Sequence, residues 1–463
     1  MPRAVLWIVC LAVLLALPLL AAPIYIGDQV EARFRETVQT QGKHLARLNL
    51  EASVEIYEQE LYGARAEVRY AERDSGTSLC RVVHDIRHGP FLLSKNAFGL
   101  AAIDSEVRIA ESPYAKHLSV AGNQSPLTAK TLLGFDGSVT SRIASPRVTW
   151  STEELRLSWE SQTGKLVGQS DTRQSLSMGF DIPRLEVVRP QDQESYLLEQ
   201  VEINSSLRQS LEGASGEQTF SLAADELTSR TGSSFGTSLR SLTVTSSGRW
   251  SQGMMNSSLD LRFASLQSSN VSVEHGLLQT RLENLDRAAL ERFLELSRYA
   301  ERQKDKPSLA DLTELQRLAA DLLKASPSFE VTRLQLQTGN ATVSLQGRLS
   351  YAHPPGASIS LENEETMLGR LRGTANLAVP EDFAVRIIAV PFTFSALLQP
   401  EKHKGLGKGS LDAYAAERAR GWLSILRSVG FIEKERGRYT TRASLENGRL
   451  AVNGIQVLDL TTR

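Results

Sequence analysis

The residues best placed for chemistry are two histidines, His84 and His88, which four positions apart on an extended segment share one face with Ile86 between them. At strand rise their Cα atoms stand about 13 Å apart, too far to hold one metal ion without a bend. A structural histidine beside the Gly89-Pro90 turn is the favoured reading. Asp104 and Glu106 alternate with apolar residues and read as a solvated strand face. The chain has two cysteines. Cys10 sits in an apolar N-terminal run out of reach of Cys80, so no internal disulfide is expected and Cys80 reads as a buried small apolar residue. No nucleophile-elbow (G-x-S-x-G), metalloprotease, P-loop, dinucleotide or paired-cysteine motif is expected. No catalytic, cofactor-binding or metal-binding residue is assigned, no cofactor is expected, and an enzyme is not expected.

The element that positions everything else is the stretch Ala4 to Ile26, roughly 23 residues without a charge and enough helix to cross a bilayer core of about 30 Å. Arg3 precedes it and Asp28, Glu31, Arg33, Arg35 and Glu36 follow, which places the N-terminus in the cytoplasm and the bulk in the periplasm, on a single-pass anchor in a bacterial inner membrane. A cleaved signal peptide is the rival reading, since Leu20-Ala21-Ala22 offers small residues. Pro23 and the continuing Ile24-Tyr25-Ile26 favour retention. Val9 before Cys10 argues against a lipoprotein.

With 463 residues, two or three domains fit. Charges nearly cancel, 52 Lys+Arg against 53 Asp+Glu, with no basic block, so nucleic acid is not an expected partner. After the anchor, residues 27–49 predict a helical stalk with Val30, Phe34, Val38, Leu45 and Leu48 near helical spacing, packed on its own body in preference to a second copy. From Leu50 the period becomes two. Ala64, Ala66, Val68 and Tyr70 alternate with Arg65, Glu67 and Arg69, and similar runs recur around His84, Ile103, Val139, Leu157, Leu239 and Leu261. Expected turns fall at Asp74-Ser75-Gly76, Asp136-Gly137, Thr163-Gly164 and Ser247-Gly248. One-sided strands predict antiparallel sheet over 50–282.

A helical insertion is predicted over 283–325, with Leu290, Phe293, Leu294 and Leu296 on its first helix. Leu312, Leu315, Leu318 and Leu322 lie on the second, behind a Ser308/Asp311 capping box. Residues 326–463 read as an α+β region: strands at Phe329-Val331, Leu334-Leu336 and Val343-Leu345, a helix start at Pro380-Glu381-Asp382, and a helix over about 411–427. That last helix is expected to pack Leu411, Ala415, Ala419, Trp422 and Leu426. A terminal hairpin turns at Asn447-Gly448, with a further turn at Asn453-Gly454. The fold class is mainly β with α additions.

Several of these stretches, taken in order, resemble the YdgA-like proteins of Gram-negative bacteria, a family grouped under a domain of unknown function. They are the anchor and its helix, His84-Asp85-Ile86-Arg87-His88-Gly89-Pro90-Phe91, Leu282-Glu283-Asn284-Leu285-Asp286 with Ala288-Ala289-Leu290, Ser326-Pro327, and Tyr439 with the two Asn-Gly turns. Where that family usually carries Tyr-x-Arg-Gly, this chain has Tyr57 to Ala64 without it. The resemblance implies a membrane-anchored periplasmic protein and brings no catalytic residues. Two functions are expected from these features. The first is a non-enzymatic envelope scaffold, engaging a second copy or an envelope protein. The second, slightly behind it, is lipid handling on an apolar β-groove similar to that of AsmA-type proteins. Whether Val139, Leu157, Leu261 and Leu336 line an open trough or a closed interior discriminates the two.

Overall fold

The computed structural model describes residues 25–43, 45–46, 49–92, 97–109, 112–170, 173–210, 212–232, 234–268, 272–302, 309–353, 364–398 and 408–459. The expected membrane span, with Cys10, lies outside these residues apart from Tyr25 and Ile26. Among the described residues no helix is long and apolar enough to cross a membrane. Every strand pairing described is antiparallel, as one-sided alternation requires. The chain divides into two compact units, Met1–Glu212 with Phe220–Gly236, and Gly213–Thr219 with Thr237–Arg463. The boundary passes through the long strands Ser215–Thr231 and Ser234–Ser251.

In the first unit the helix over residues 25–43 (α1) is followed by β1 (Leu50–Glu60), β2 (Gly63–Glu72), β3 (Ser78–His88), β4 (Ala101–Arg108), β5 (Thr128–Leu133) and β6 (Val139–Ser145). These are joined in order by hydrogen-bonded ladders. β6 pairs with β7 (Gln162–Ser170), which pairs with β8 (Arg173–Arg189), which pairs with β9 (Glu194–Ser210). The expected stalk helix packs on its own body, as its apolar stripe suggested. Ile26 and Val30 of α1 are buried against Ala64, Ala66, Ile86 and Ala101, with Phe34, Tyr57 and Ile103 packed around them. The small alanines of β2 and β4 are what let a helix settle this closely on the sheet.

Two expected turns are strand interior instead. Thr163-Gly164 lies within β7 and Ser247-Gly248 within Ser234–Ser251. The ring of Phe180, paired with Gly164 across the ladder, covers the space a side chain there would need. Glycine here accommodates an aromatic neighbour instead of reversing the chain. The turns at Gly76 and Gly137 form as expected, both with positive φ. Glu67, expected on the solvated face, is buried between Arg65 and Arg81. Cys80 is half-buried, not fully buried, and is a free thiol whose burial raises its pKa.

The second unit carries β10 (Met254–Phe263), β11 (His275–Asp286), β12 (Ser328–Thr338), β13 (Ala341–Tyr351), β14 (Leu371–Pro380), β15 (Arg438–Glu446), β16 (Arg449–Val452) and β17 (Ile455–Asp459), paired in that order. Phe329-Val331 and Leu334-Leu336 form a single strand with a bulge between them, not two strands. Between β11 and β12 run α2 (Arg287–Arg302) and α3 (Leu309–Lys324). Asp286 caps α2 by accepting a hydrogen bond from the Ala289 amide at 2.8 Å, and Leu318 of α3 is buried. Ser308 of the expected capping box lies outside the described residues. Between β14 and β15 run α4 (Glu381–Leu398) and α5 (Lys408–Ser428), which bury Ala384, Val385, Ala419 and Leu423 together against Val379 and Tyr439. Trp422, expected on that packed side, faces out, and Leu423 takes its place. Both Asn-Gly turns close with positive φ at Asn447, Gly448, Asn453 and Gly454.

Candidate functional site

Two places collect the features that function could use, one in each unit. In the first, His84 and His88 of β3 share a face as expected, and α1 lies over them. His84 Nδ1 is 2.9 Å from Ser105 Oγ across the ladder, and the Phe34 ring meets the imidazole edge-on at 5.1 Å. Burial pushes the His84 pKa down to about 4. This is a serine–histidine contact, but the imidazole is sealed under Phe34 and is a weak base at neutral pH, which leaves it poorly suited to activate a nucleophile.

His88 is only 3% exposed and neither ring nitrogen has a hydrogen-bond partner among the described residues. Its ring lies directly against Gly27 of α1. A Cβ at Gly27 would come within 2.9 Å of the imidazole and 2.7 Å of the Gln59 amide. Desolvation lowers the His88 pKa, partly opposed by the Asp28 carboxylate. The Tyr57 hydroxyl in the same interface is likewise unpartnered, and burial lifts its pKa to about 12. Together these groups make a seam whose buried rings stay neutral, while Asp28 and Arg35 of α1 lie at its edge. It holds α1 in place and offers no converging acid.

Among the described residues no three His, Cys, Asp or Glu side chains converge as metal ligands. Asp104 and Glu106 border a depression lined by charges of both signs, including Arg65, Asp85, Arg87 and Lys130, which is the solvated face expected for them. One match to G-x-S-x-G does occur, Gly232-Ser233-Ser234-Phe235-Gly236, contrary to expectation. Gly232 is a turn residue directly after the strand Ser215–Thr231, and Ser234 to Gly236 open the strand Ser234–Ser251, so the match joins strand to strand and lacks the strand-to-helix turn that exposes a hydrolase serine.

The second place is the apolar face of the second unit. The ladders set Leu282, Phe329, Leu349, Gly373, Leu445 and Leu450 in one row across six strands, β11 to β16. The next row runs Val331, Gly347, Ala375, Ala443 and Val452. Residues two apart on a strand point the same way, so the rows form one surface. Between them lies an open trough of about 280 Å³. Phe329 and Leu349 are each 45% exposed at its rim. Gly347 and Gly373 form its floor, and a side chain at Gly347 would press to 2.9 Å on the Thr374 carbonyl.

The discriminating residues named from the sequence, Val139, Leu157, Leu261 and Leu336, are all half-buried. In the first unit, Leu176 and Met178 of β8 are exposed. Period-two alternation finds such faces but cannot tell whether a second layer covers them, so the trough had no sequence signal of its own.

Neither the curated proteins nor the solved structures contain a match to this chain. A family model does match, over residues 4–458, nearly the whole length and both candidate places. The chain belongs to the bacterial protein family of unknown function DUF945.

Proposed function

We propose that this protein handles lipid, holding an acyl chain on the apolar face of its second unit, as part of a membrane-anchored periplasmic protein of the YdgA-like kind. The observation that carries this reading is the uncovered row from Leu282 through Phe329, Leu349 and Leu445 to Leu450 with its trough. Half-exposed apolar surface of this kind is costly in water, and each methylene laid into it contributes about 0.8 kcal/mol. The trough's lining is mainly Phe, Leu, Val, Ala and Gly, with Arg348, Thr374 and Ser444 alternating to the other face of their strands, so the reading is binding and not bond-making. The expectation of a membrane anchor over Ala4 to Ile26 is consistent with it, since an anchored chain would have lipid at hand. The scaffold reading ranks second, because the trough is a feature that lipid binding uses and a scaffold does not require.

The test is a photoreactive fatty acid incubated with the full chain in detergent, with the labelled peptides identified by mass spectrometry. Labelling should concentrate on peptides containing Phe329, Leu349 and Leu450 and fall several-fold in Leu349→Glu. A charge at that half-exposed position spoils the trough without entering a core. Labelling confined to the N-terminal apolar segment, or unchanged in the variant, overturns the proposal.

A further inference from the structure

The end of the first unit at which α1 starts carries side chains that neither the α1 seam nor the trough accounts for. β1 to β6 are neighbours in the sheet, and their registers bring one end of each strand to a common rim. Gly63 opposes both Glu60 and Arg87, His88 opposes Ala101, and Leu133 opposes both Ala101 and Val139. Three connections therefore leave the sheet at that rim, over residues 61–62, 89–100 and 134–138. Leu61 and Tyr62 are exposed on the first, Phe98 is 64% exposed on the second, and Phe135 is exposed on the third. The Phe98 and Phe135 rings meet with their centroids 5.1 Å apart. Strand connections in water favour Gly, Asn, Asp and Ser, so large apolar groups on all three mark a rim that something covers.

The course of the chain indicates what covers it. A Cβ at Gly27 would touch the His88 ring and the Gln59 amide, which fixes the start of α1 at this same rim, and Tyr25, two residues earlier, is exposed. Tyr25 and Ile26 are also the last residues of the uncharged run that begins at Ala4. That run therefore joins the first unit at its apolar rim. Among the described residues, the charges nearest the rim are Asp28, Glu60, Arg87 and Asp136. Asp28 accepts a hydrogen bond from the Gln59 amide at 3.2 Å, and Asp136 accepts one from the Ser138 backbone at 3.0 Å. Three acids against one arginine give no attraction for an anionic surface, so the rim suits contact through its apolar and aromatic groups.

We propose that this rim rests on the bilayer, with Tyr25, Leu61, Tyr62, Phe98 and Phe135 in the headgroup zone beside the emerging N-terminal run. Rings with one apolar body and, in tyrosine, one polar tip are the side chains that settle at a membrane–water boundary. A second copy is disfavoured as the occupant, because it would have to sit where each chain's own uncharged run leaves the body. The inference rests on the expected anchor over Ala4 to Ile26, which the lipid-handling reading shares, and makes no use of the trough.

The test reconstitutes the full chain in phosphatidylcholine vesicles whose acyl chains carry bromine near the headgroup. Phe98→Trp, Phe135→Trp and Leu127→Trp are compared, each read as the difference in fluorescence quenching from the wild type. Leu127 is exposed but precedes the far end of β5, away from the rim. All three substitutions are at exposed positions and leave the fold intact, which circular dichroism verifies. Quenching at positions 98 and 135 several-fold stronger than at 127, and unchanged in about 0.5 M salt, where charges are screened, supports the proposal. Quenching at 98 and 135 no stronger than at 127 in vesicle-bound protein overturns it, and is the result expected if residues 4–24 or a second copy cover the rim. A chain that fails to float with the vesicles overturns the anchor and this inference together. Leu349→Glu keeps the quenching at 98 and 135 while losing acyl labelling of the trough, so failure of one proposal is separable from failure of the other.

Discussion

Acidification should release α1 from the first unit, and the size of the effect follows from His84. Folded, burial under Phe34 and against the sheet pushes this imidazole down to about 4; undocked, it rises toward 6.5, the limit reached if α1 accounts for the whole of that burial. Above pH 6.5 both states leave the ring neutral and docking is at full strength. As pH falls from 6.5 toward 4, the undocked ring binds a proton that the docked ring refuses, so docking weakens throughout that window. At 1.36 kcal/mol per pH unit, the interval from 6.5 to about 4 comes to at most about 3 kcal/mol, of which up to about 2 is lost by pH 5.

His88 shifts in the same direction for the same reason, with Asp28 nearby as partial compensation, so its contribution has the same sign. The assay is amide hydrogen exchange in helix 25–43 of the full chain at pH 7.5 and pH 5, corrected for intrinsic exchange. A loss of about 2 kcal/mol of protection means roughly thirty-fold faster opening at pH 5. The double substitution His84→Phe, His88→Phe should flatten the pH dependence. Protection that stays constant or rises on acidification refutes the argument that burial governs these rings.

Three further outcomes follow from the packing. Gly27→Val drives its side chain into the His88 ring and the Gln59 amide, so α1 should loosen by about 1–3 kcal/mol, read by the same exchange measurement. Trp250, buried with Arg287 stacked 4.2 Å from its ring centroid and its indole N–H donating to the Gly213 carbonyl at 3.1 Å, should cost about 3–5 kcal/mol in denaturant unfolding when replaced by alanine. Asp286→Ala removes the cap of α2 and should cost about 1 kcal/mol, with asparagine restoring most of it.

Local chemistry was legible along the chain because it depends on neighbours in sequence. Period-two alternation around Ala66, Ile103 and Leu261 announced antiparallel strands, and the Asn-Gly pairs announced turns because both positions need positive φ. The 17-residue strands Arg173–Arg189 and Glu194–Ser210 were harder to single out. Serine and glutamine interrupt their apolar faces, so the alternation blurs even though the strands pair along almost their whole length, skipping only Pro183 and Gln200. His84 and His88 were correctly placed on one face, whereas their burial under Phe34 and Gly27 came from α1 arriving from a different part of the chain.

By itself, then, the sequence determined the element types, the antiparallel pairing and the spacing of the histidines, all set by backbone geometry within a few residues. Only the tertiary structure decided which apolar stripes are covered. Alternation specifies that a face is apolar, while burial depends on what distant segment packs there. That is why α1 closes over Ile86, Leu423 displaces Trp422 from the seam, and Phe329 and Leu349 are left open.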